Sequence, residues 1–263
     1  MMERGATSYT TPAGKTYTLY EDMLRQNHTL IAGATGSGKS VALNAVLHTA
    51  LMDSPVMVRF ILLDPKMVEL SEYADLPHTL RYACTSKDML AALEEAVGII
   101  EARYTDMQRR KLRFYDGSDI YVVIDELADL MTTMKREAAP LIQRIGQIGR
   151  AARVHLLCCT QRPTADILPR YITCNMDARL GLRTANRQDS RNIIDAAGCE
   201  KFPRPVDVGK AYGYYRNGAD LTLYQIPMIE EEERQRILSY WRGQPKPKSI
   251  KPGRSGFNLF GRH

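Results

Sequence analysis

No apolar run in this chain approaches the eighteen or so residues that a membrane span needs, and its N-terminus has no signal-peptide pattern. A membrane-spanning protein is not expected, and a cytoplasmic one is. Cysteine is scarce too. The five residues (Cys84, Cys158, Cys159, Cys174, Cys199) are odd in number and none stands in C-x-x-C spacing. Cys158 and Cys159 are adjacent within an apolar run and read as buried small hydrophobes, which suits a reducing compartment. Internal repeats are absent. So is any acidic residue after Arg242, where the chain carries Lys246, Lys248, Lys251, Arg254 and Arg262.

What is present is the composition of an ordinary globular protein: 44% hydrophobic and 25% charged residues over 263 positions, enough for one large α/β domain. The formal charge of +6 and pI of about 9.0 suit a polyanionic partner without demanding one. Residues 1–27 are polar, with turn chemistry at Pro12-Ala13-Gly14, and read as an arm or a short strand leading into the core. From 28 to 242 the pattern is regular. Near-continuous apolar runs (Met57–Leu63, Ile120–Ile124, His155–Thr160) are expected of strands covered on both faces of a parallel sheet. Between them lie stretches of helical spacing, above all Ser86–Arg110. The alternation predicts an α/β fold: a doubly wound, mostly parallel sheet with helices on both faces. Lys210–Tyr215 and Leu221–Ile226, joined through Arg216-Asn217-Gly218, predict a C-terminal edge hairpin, and Glu230–Arg242 a last helix. Residues 243–263 are expected to be a flexible basic tail, in which Phe257–Phe260 could dock a recruiting protein.

The strongest local signal is Gly33-Ala34-Thr35-Gly36-Ser37-Gly38-Lys39-Ser40, which matches G-x-x-x-x-G-K-[ST] and stands between a strand-like run and a helix-like stretch starting at Val41. Glycines let the backbone approach phosphates, so that amide N–H groups and a helix N-terminus face the anion. Residues 33–41 are therefore the expected nucleotide cradle. Lys39 would reach the β- and γ-phosphates, and Ser40 would ligate Mg²⁺.

Asp125-Glu126 follows the run Ile120–Ile124 directly. In an open parallel sheet the carboxyl ends of the strands share one ligand crevice, which would bring both beside the phosphate loop. Asp125 is expected in the Mg²⁺ shell, and Glu126 is expected to orient the water that attacks the γ-phosphate. Asp-Glu after a strand is also an ordinary helix cap. Gln161, ending a third strand, could touch the γ-phosphate or the water through its amide.

Several segments in order resemble the FtsK/SpoIIIE-type DNA translocases, ring-forming motors of the RecA-like ATPases. They are Ile31–Val41, Phe60–Met67 with Glu69-Leu70, Val122–Met131, Arg150–His155, Thr160-Gln161-Arg162-Pro163 and Asp189-Ser190-Arg191. The resemblance implies a hexameric ring that hydrolyses ATP at subunit interfaces and threads double-stranded DNA through its pore. It implies that Arg150 reaches the neighbouring subunit's γ-phosphate, a planar cation delivered where phosphate charge develops. It also implies that Arg187 stands where the family often has a phosphate-sensing lysine. Two pore-facing loops are implied at 109–118, with Arg109, Arg110, Lys111 and Arg113, and at 163–175, with Arg170. Cations that meet phosphates without reading bases suit a motor that steps along any sequence.

Full-length members usually add membrane spans, a linker and a winged-helix domain, so a compact motor acting as a ring of bare motor domains is the expectation here. The alternatives are the same ATPase fold acting on a protein substrate in secretion, a DNA-packaging or conjugative-transfer motor, or a nucleotide-dependent binding protein that does not translocate.

Overall fold

The computed structural model describes residues 8–10 and 16–247. The Pro12–Gly14 turn and the tail beyond 247, with its docking segment, lie outside them. In chain order the elements are β1 (Ser8–Thr10), β2 (Thr16–Thr18), α1 (Leu19–Arg25), β3 (Thr29–Ala32), α2 (Lys39–Ala50), β4 (Val58–Leu63) and β5 (Thr79–Ala83). They continue with α3 (Ser86–Arg110), β6 (Asp119–Ile124), α4 (Leu127–Thr133), α5 (Lys135–Ala152), β7 (Val154–Thr160), α6 (Arg170–Thr173) and β8 (Ala178–Leu182). The last are α7 (Arg187–Ile194), α8 (Pro205–Val208), β9 (Tyr212–Asn217), β10 (Asp220–Gln225) and α9 (Glu231–Arg242).

Strands β3 to β10 form one sheet in the order β10-β9-β8-β3-β7-β6-β4-β5. The pairs from β8 across to β5 are parallel, while β9 and β10 close one edge as the antiparallel hairpin read from the sequence. Helices cover both faces, as a sheet buried on two sides requires. Successive residues of each strand feed opposite cores. Leu30, Ile61, Val122 and Cys158 pack under α3, α4 and α5, while Ile31, Leu62, Val123 and Cys159 pack under α1 and α2. Both cysteines are buried as expected, and burial pushes the Cys158 thiol up to about 12. The described residues hold no helix long and apolar enough to cross a membrane.

Residues 19–25 depart from the arm or short strand read there. Thr18 and Glu21 form a reciprocal capping box that starts α1. Leu19, Tyr20, Met23 and Leu24 are then buried in the core beneath α2, with the Tyr121 hydroxyl donating to the Leu24 carbonyl at 2.8 Å. A seven-residue helix has too few turns for its period to stand out in sequence, and tertiary burial holds it instead. Strand β5 was likewise invisible. It is an outer strand with a half-exposed middle, so it lacks the continuous apolar run that marked its neighbours.

Candidate functional site

Because β3, β4, β6, β7 and β8 run parallel, their carboxyl ends fall on one edge, and the loops that leave them meet there. The Gly33 N–H donates to the Thr160 carbonyl at 3.2 Å and the Ala34 N–H to the Arg183 carbonyl at 2.7 Å, so the phosphate loop hangs between β7 and β8. A Cβ on Gly33 would lie 2.7 Å from both the Leu182 Cβ and the Ser37 Oγ. Gly36 and Gly38 adopt φ of 71° and 98°, the left-handed region where glycine is unstrained, and Gly38 then opens α2. The Ser37 hydroxyl is buried with no hydrogen-bond partner among the described residues. A loop with an orphaned buried hydroxyl, ahead of a helix N-terminus and a lysine, has the chemistry of an anion cradle.

Lys39 is buried, and its ammonium donates to the Asp125 carboxylate at 2.5 Å and to the Asp125 carbonyl at 3.0 Å. Burial works against that charge, yet the Cys159, Asp125 and Glu126 side chains around it hold the Lys39 pKa above the ordinary value. Glu126 is also buried. Its Oε1 accepts from the Thr160 hydroxyl at 2.8 Å and from the Ala128 N–H at 3.3 Å, and both carboxylate oxygens accept from the Gln161 N–H at 3.2 Å. Glu126 is thus at once the cap of α4 and a carboxylate fixed beside the loop. The Gln161 side-chain amide oxygen accepts from the Thr35 hydroxyl at 2.9 Å, which joins the loop tip to the end of β7.

Two side chains in this site carried a sequence signal but no assigned role. The turn after β4 brings Lys66 Nζ within 3.9 Å of Glu126 and the Glu69 carboxylate onto the Ser40 hydroxyl, which donates to it. Both lie in the motif segments quoted above, but what they touch is set by the folding of the turn. Val41 lines a shallow pocket with Ser40, Asn44, Met228 and Ile229, alongside the loop helix. The oxygen donors of Ser40, Asp125, Glu126 and Glu69 fit a hard cation such as Mg²⁺. Among the described residues no three His, Cys, Asp or Glu side chains group as a metal site alone.

The remaining candidates divide between the two sheet edges. Arg187 is exposed at the start of α7, after β8, on the edge of the phosphate loop. Arg150 is exposed in the last turn of α5, just before β7 begins, on the opposite edge. Seven residues of β7 separate it from Gln161, about 20 Å of strand. The 109–118 segment shares that far edge, since it runs from α3 into β6. There the Tyr115 N–H donates to the Ala151 carbonyl at 2.8 Å, and Arg103 stacks 4.4 Å over the Tyr115 ring. Arg110 is paired with Asp106 and Asp116, and Arg109 with Asp106, whereas Lys111 and Arg113 are exposed. Arg170 is exposed at the start of α6, in a pocket with Arg179 and Arg191 beside α7.

A glycine-rich loop between a central strand and a helix, a buried lysine–aspartate pair and a clamped glutamate define a phosphate-loop protein on a RecA-like sheet. The chain belongs to the FtsK/SpoIIIE family, whose sequence model matches residues 13–119 and 116–165. The DNA translocase FtsK of Leptospira interrogans serovar copenhageni is 37% identical over 250 residues, covering 87% of this chain and 26% of that protein. The DNA translocase FtsK of Lactococcus lactis subsp. cremoris is 39% identical over 202 residues, covering 69% and 27%. The chain thus spans about a quarter of the length of these relatives. Among solved structures, the cytoplasmic domain of the type VII secretion ATPase EccC of Thermomonospora curvata superposes with a TM-score of 0.73 at 22% identity, covering 94% of this chain and 32% of that one. The conjugation coupling protein TcpA of pCW3, in its monomer form with ATPgS, gives 0.70 at 21% identity, covering 91% and 71%.

Proposed function

We propose that this chain is an ATP-driven motor that assembles as a ring, hydrolyses ATP with Mg²⁺ at the interfaces between its copies and moves double-stranded DNA through the pore. The observation that carries the hydrolase reading is Glu126, a buried carboxylate clamped by Thr160 and Gln161 beside the Lys39–Asp125 pair. A carboxylate held so firmly can orient a water without reorganising, and this chemistry depends mostly on positioning and charge. In this reading Lys39 binds the terminal phosphates, Ser40 and Asp125 hold the metal, and Gln161 and Arg187 contact the γ-phosphate. Magnesium, when bound with the nucleotide, neutralises phosphate charge.

The interface reading is supported by Arg150. It projects from the sheet edge opposite its own loop, so the nucleotide it can serve belongs to another copy. The DNA reading is supported by the relatives named DNA translocases and by the cationic segments around Arg109, Arg110, Lys111 and Arg113, and around Arg170. Hydrolysis measured with and without long linear duplex DNA tests it. DNA should stimulate the wild type, and Lys39→Ala and Arg150→Ala should each be inactive alone. Mixing the two variants should restore part of the activity, because each supplies the half that the other lacks. Wild-type hydrolysis by Arg150→Ala would remove the shared site.

A second reading, a motor for protein or conjugative transfer, is favoured by the fold shared with the secretion ATPase EccC and the conjugation coupling protein TcpA. Stimulation by a polypeptide and none by DNA in the same assay would select the secretion form of it.

A further inference from the structure

We propose that Glu69 is a metal-positioning residue of the nucleotide site, coupling nucleotide affinity to the divalent ion through Ser40; this rests on the nucleotide reading above. The observation is the hydrogen bond from the Ser40 hydroxyl to the Glu69 Oε1. Ser40 is the side chain whose oxygen is placed to ligate the ion, so a carboxylate on that hydroxyl sits where a ligand, or a partner for an ion-bound water, is needed. A carboxylate, a hydroxyl and phosphate oxygens suit a hard ion that keeps several waters.

The contact is built into the turn. Asp64 is fully buried at the end of β4, and its Oδ2 accepts from the Leu70 N–H at 3.0 Å and from the Tyr82 hydroxyl at 3.3 Å. Met67 takes a left-handed φ of 55°, with its N–H on the Asp64 carbonyl at 3.2 Å, which folds the chain back toward the loop. Leu70 and Tyr73 are fully buried, and the Tyr73 hydroxyl donates to Asn44 on α2 at 2.8 Å. Glu69 is therefore held between two anchors, one on its own strand and one on the helix that carries Ser40. Leu70 on one side and the left-handed Met67 on the other leave it little freedom to leave the site.

Charge gives the proposal its distinctive signature. Without a metal, Glu69 is a negative group beside a polyanion and should weaken nucleotide binding or leave it unchanged. With a metal, it adds an attractive partner for the cation. Removing its charge should therefore lower affinity only when the metal is present, whereas loss of a purely structural contact would lower affinity in both conditions.

The experiment is ADP binding to the full chain by calorimetry, in magnesium and in EDTA, together with Mn²⁺ binding followed by electron paramagnetic resonance in the presence of ADP. For Glu69→Gln the gain in ADP affinity on adding magnesium should shrink about tenfold, with affinity in EDTA equal to or above wild type, and Mn²⁺ should bind about tenfold more weakly. Glu69→Asp, which keeps the charge, should recover part of both. A Glu69→Gln protein with the wild-type magnesium dependence, or one that loses affinity equally in both conditions, would overturn the proposal. Lys39→Ala tells the two failures apart. Loss of ADP binding in both conditions preserves the nucleotide reading whatever Glu69 does, and wild-type binding by Lys39→Ala defeats that reading itself.

Discussion

Thr35 and Gln161 are 126 residues apart in sequence, yet the Thr35 hydroxyl donates to the Gln161 side-chain amide oxygen at 2.9 Å. The backbone N–H of the same Gln161 donates to Glu126 at 3.2 Å. One residue thus touches both the tip of the phosphate loop and the clamped carboxylate, so movement of either is felt by the end of β7.

That link predicts a split between binding and turnover for Gln161→Ala. The cradle itself remains, so ADP affinity should stay within about twofold of wild type. The hydrolysis step should slow by roughly tenfold or more, the equivalent of one hydrogen bond lost from the transition state. Single-turnover rates alongside ADP titrations check this. An equal fall in both would place Gln161 in binding alone.

Glu126→Gln should abolish turnover while preserving the fold. The amide oxygen can still accept from Thr160 and Gln161, so the melting temperature should move by only a few degrees. On the proposed hydrolase reading, an amide that can no longer polarise the attacking water costs roughly 10²- to 10⁴-fold in rate. Steady-state hydrolysis and a thermal melt on the same sample test both halves.

Gly149 is predicted to tolerate no side chain. A Cβ there would be driven into the Val154 backbone carbonyl and would come within 3.3 Å of the His28 ring. Neither the carbonyl nor the start of β7 can retreat without breaking the sheet. Gly149→Ala should destabilise the protein by about 3 kcal/mol, despite the better helix propensity of alanine. Urea unfolding reads this directly, and a wild-type midpoint would show that α5 can shift.

Acid should weaken the fold well before the carboxylates titrate. Burial, with the neighbouring His155 charge added, lowers the His28 pKa to about 3. Burial lowers that of His78 to about 4, despite its bond to the Asp53 carbonyl. Between pH 6.5 and 4 the unfolded chain takes up protons that the folded chain refuses, so stability is full above pH 7 and falls as pH falls. Each histidine should remove roughly 2 kcal/mol by pH 5. Urea midpoints at pH 7.5, 6 and 5 test the slope, and His28→Gln should flatten it.

The parts of the site that were legible were those in which a backbone requirement fixes the residue type. Gly36 and Gly38 sit at left-handed φ, Lys39 and Ser40 follow them into α2, and Asp125 and Glu126 end a strand whose apolar run betrays it. The helix break at Met134 between α4 and α5, and the packing of α1, left no comparable trace, since both depend on what surrounds them.

The sequence by itself determined the alternation of strands and helices and the phosphate loop, because periodicity and glycine chemistry are local properties of the chain. Only the tertiary structure decided that Glu69 meets Ser40 and that Arg150 stands a strand's length from its own loop. Those are distances between residues far apart in sequence, fixed by the order and direction in which the strands pair.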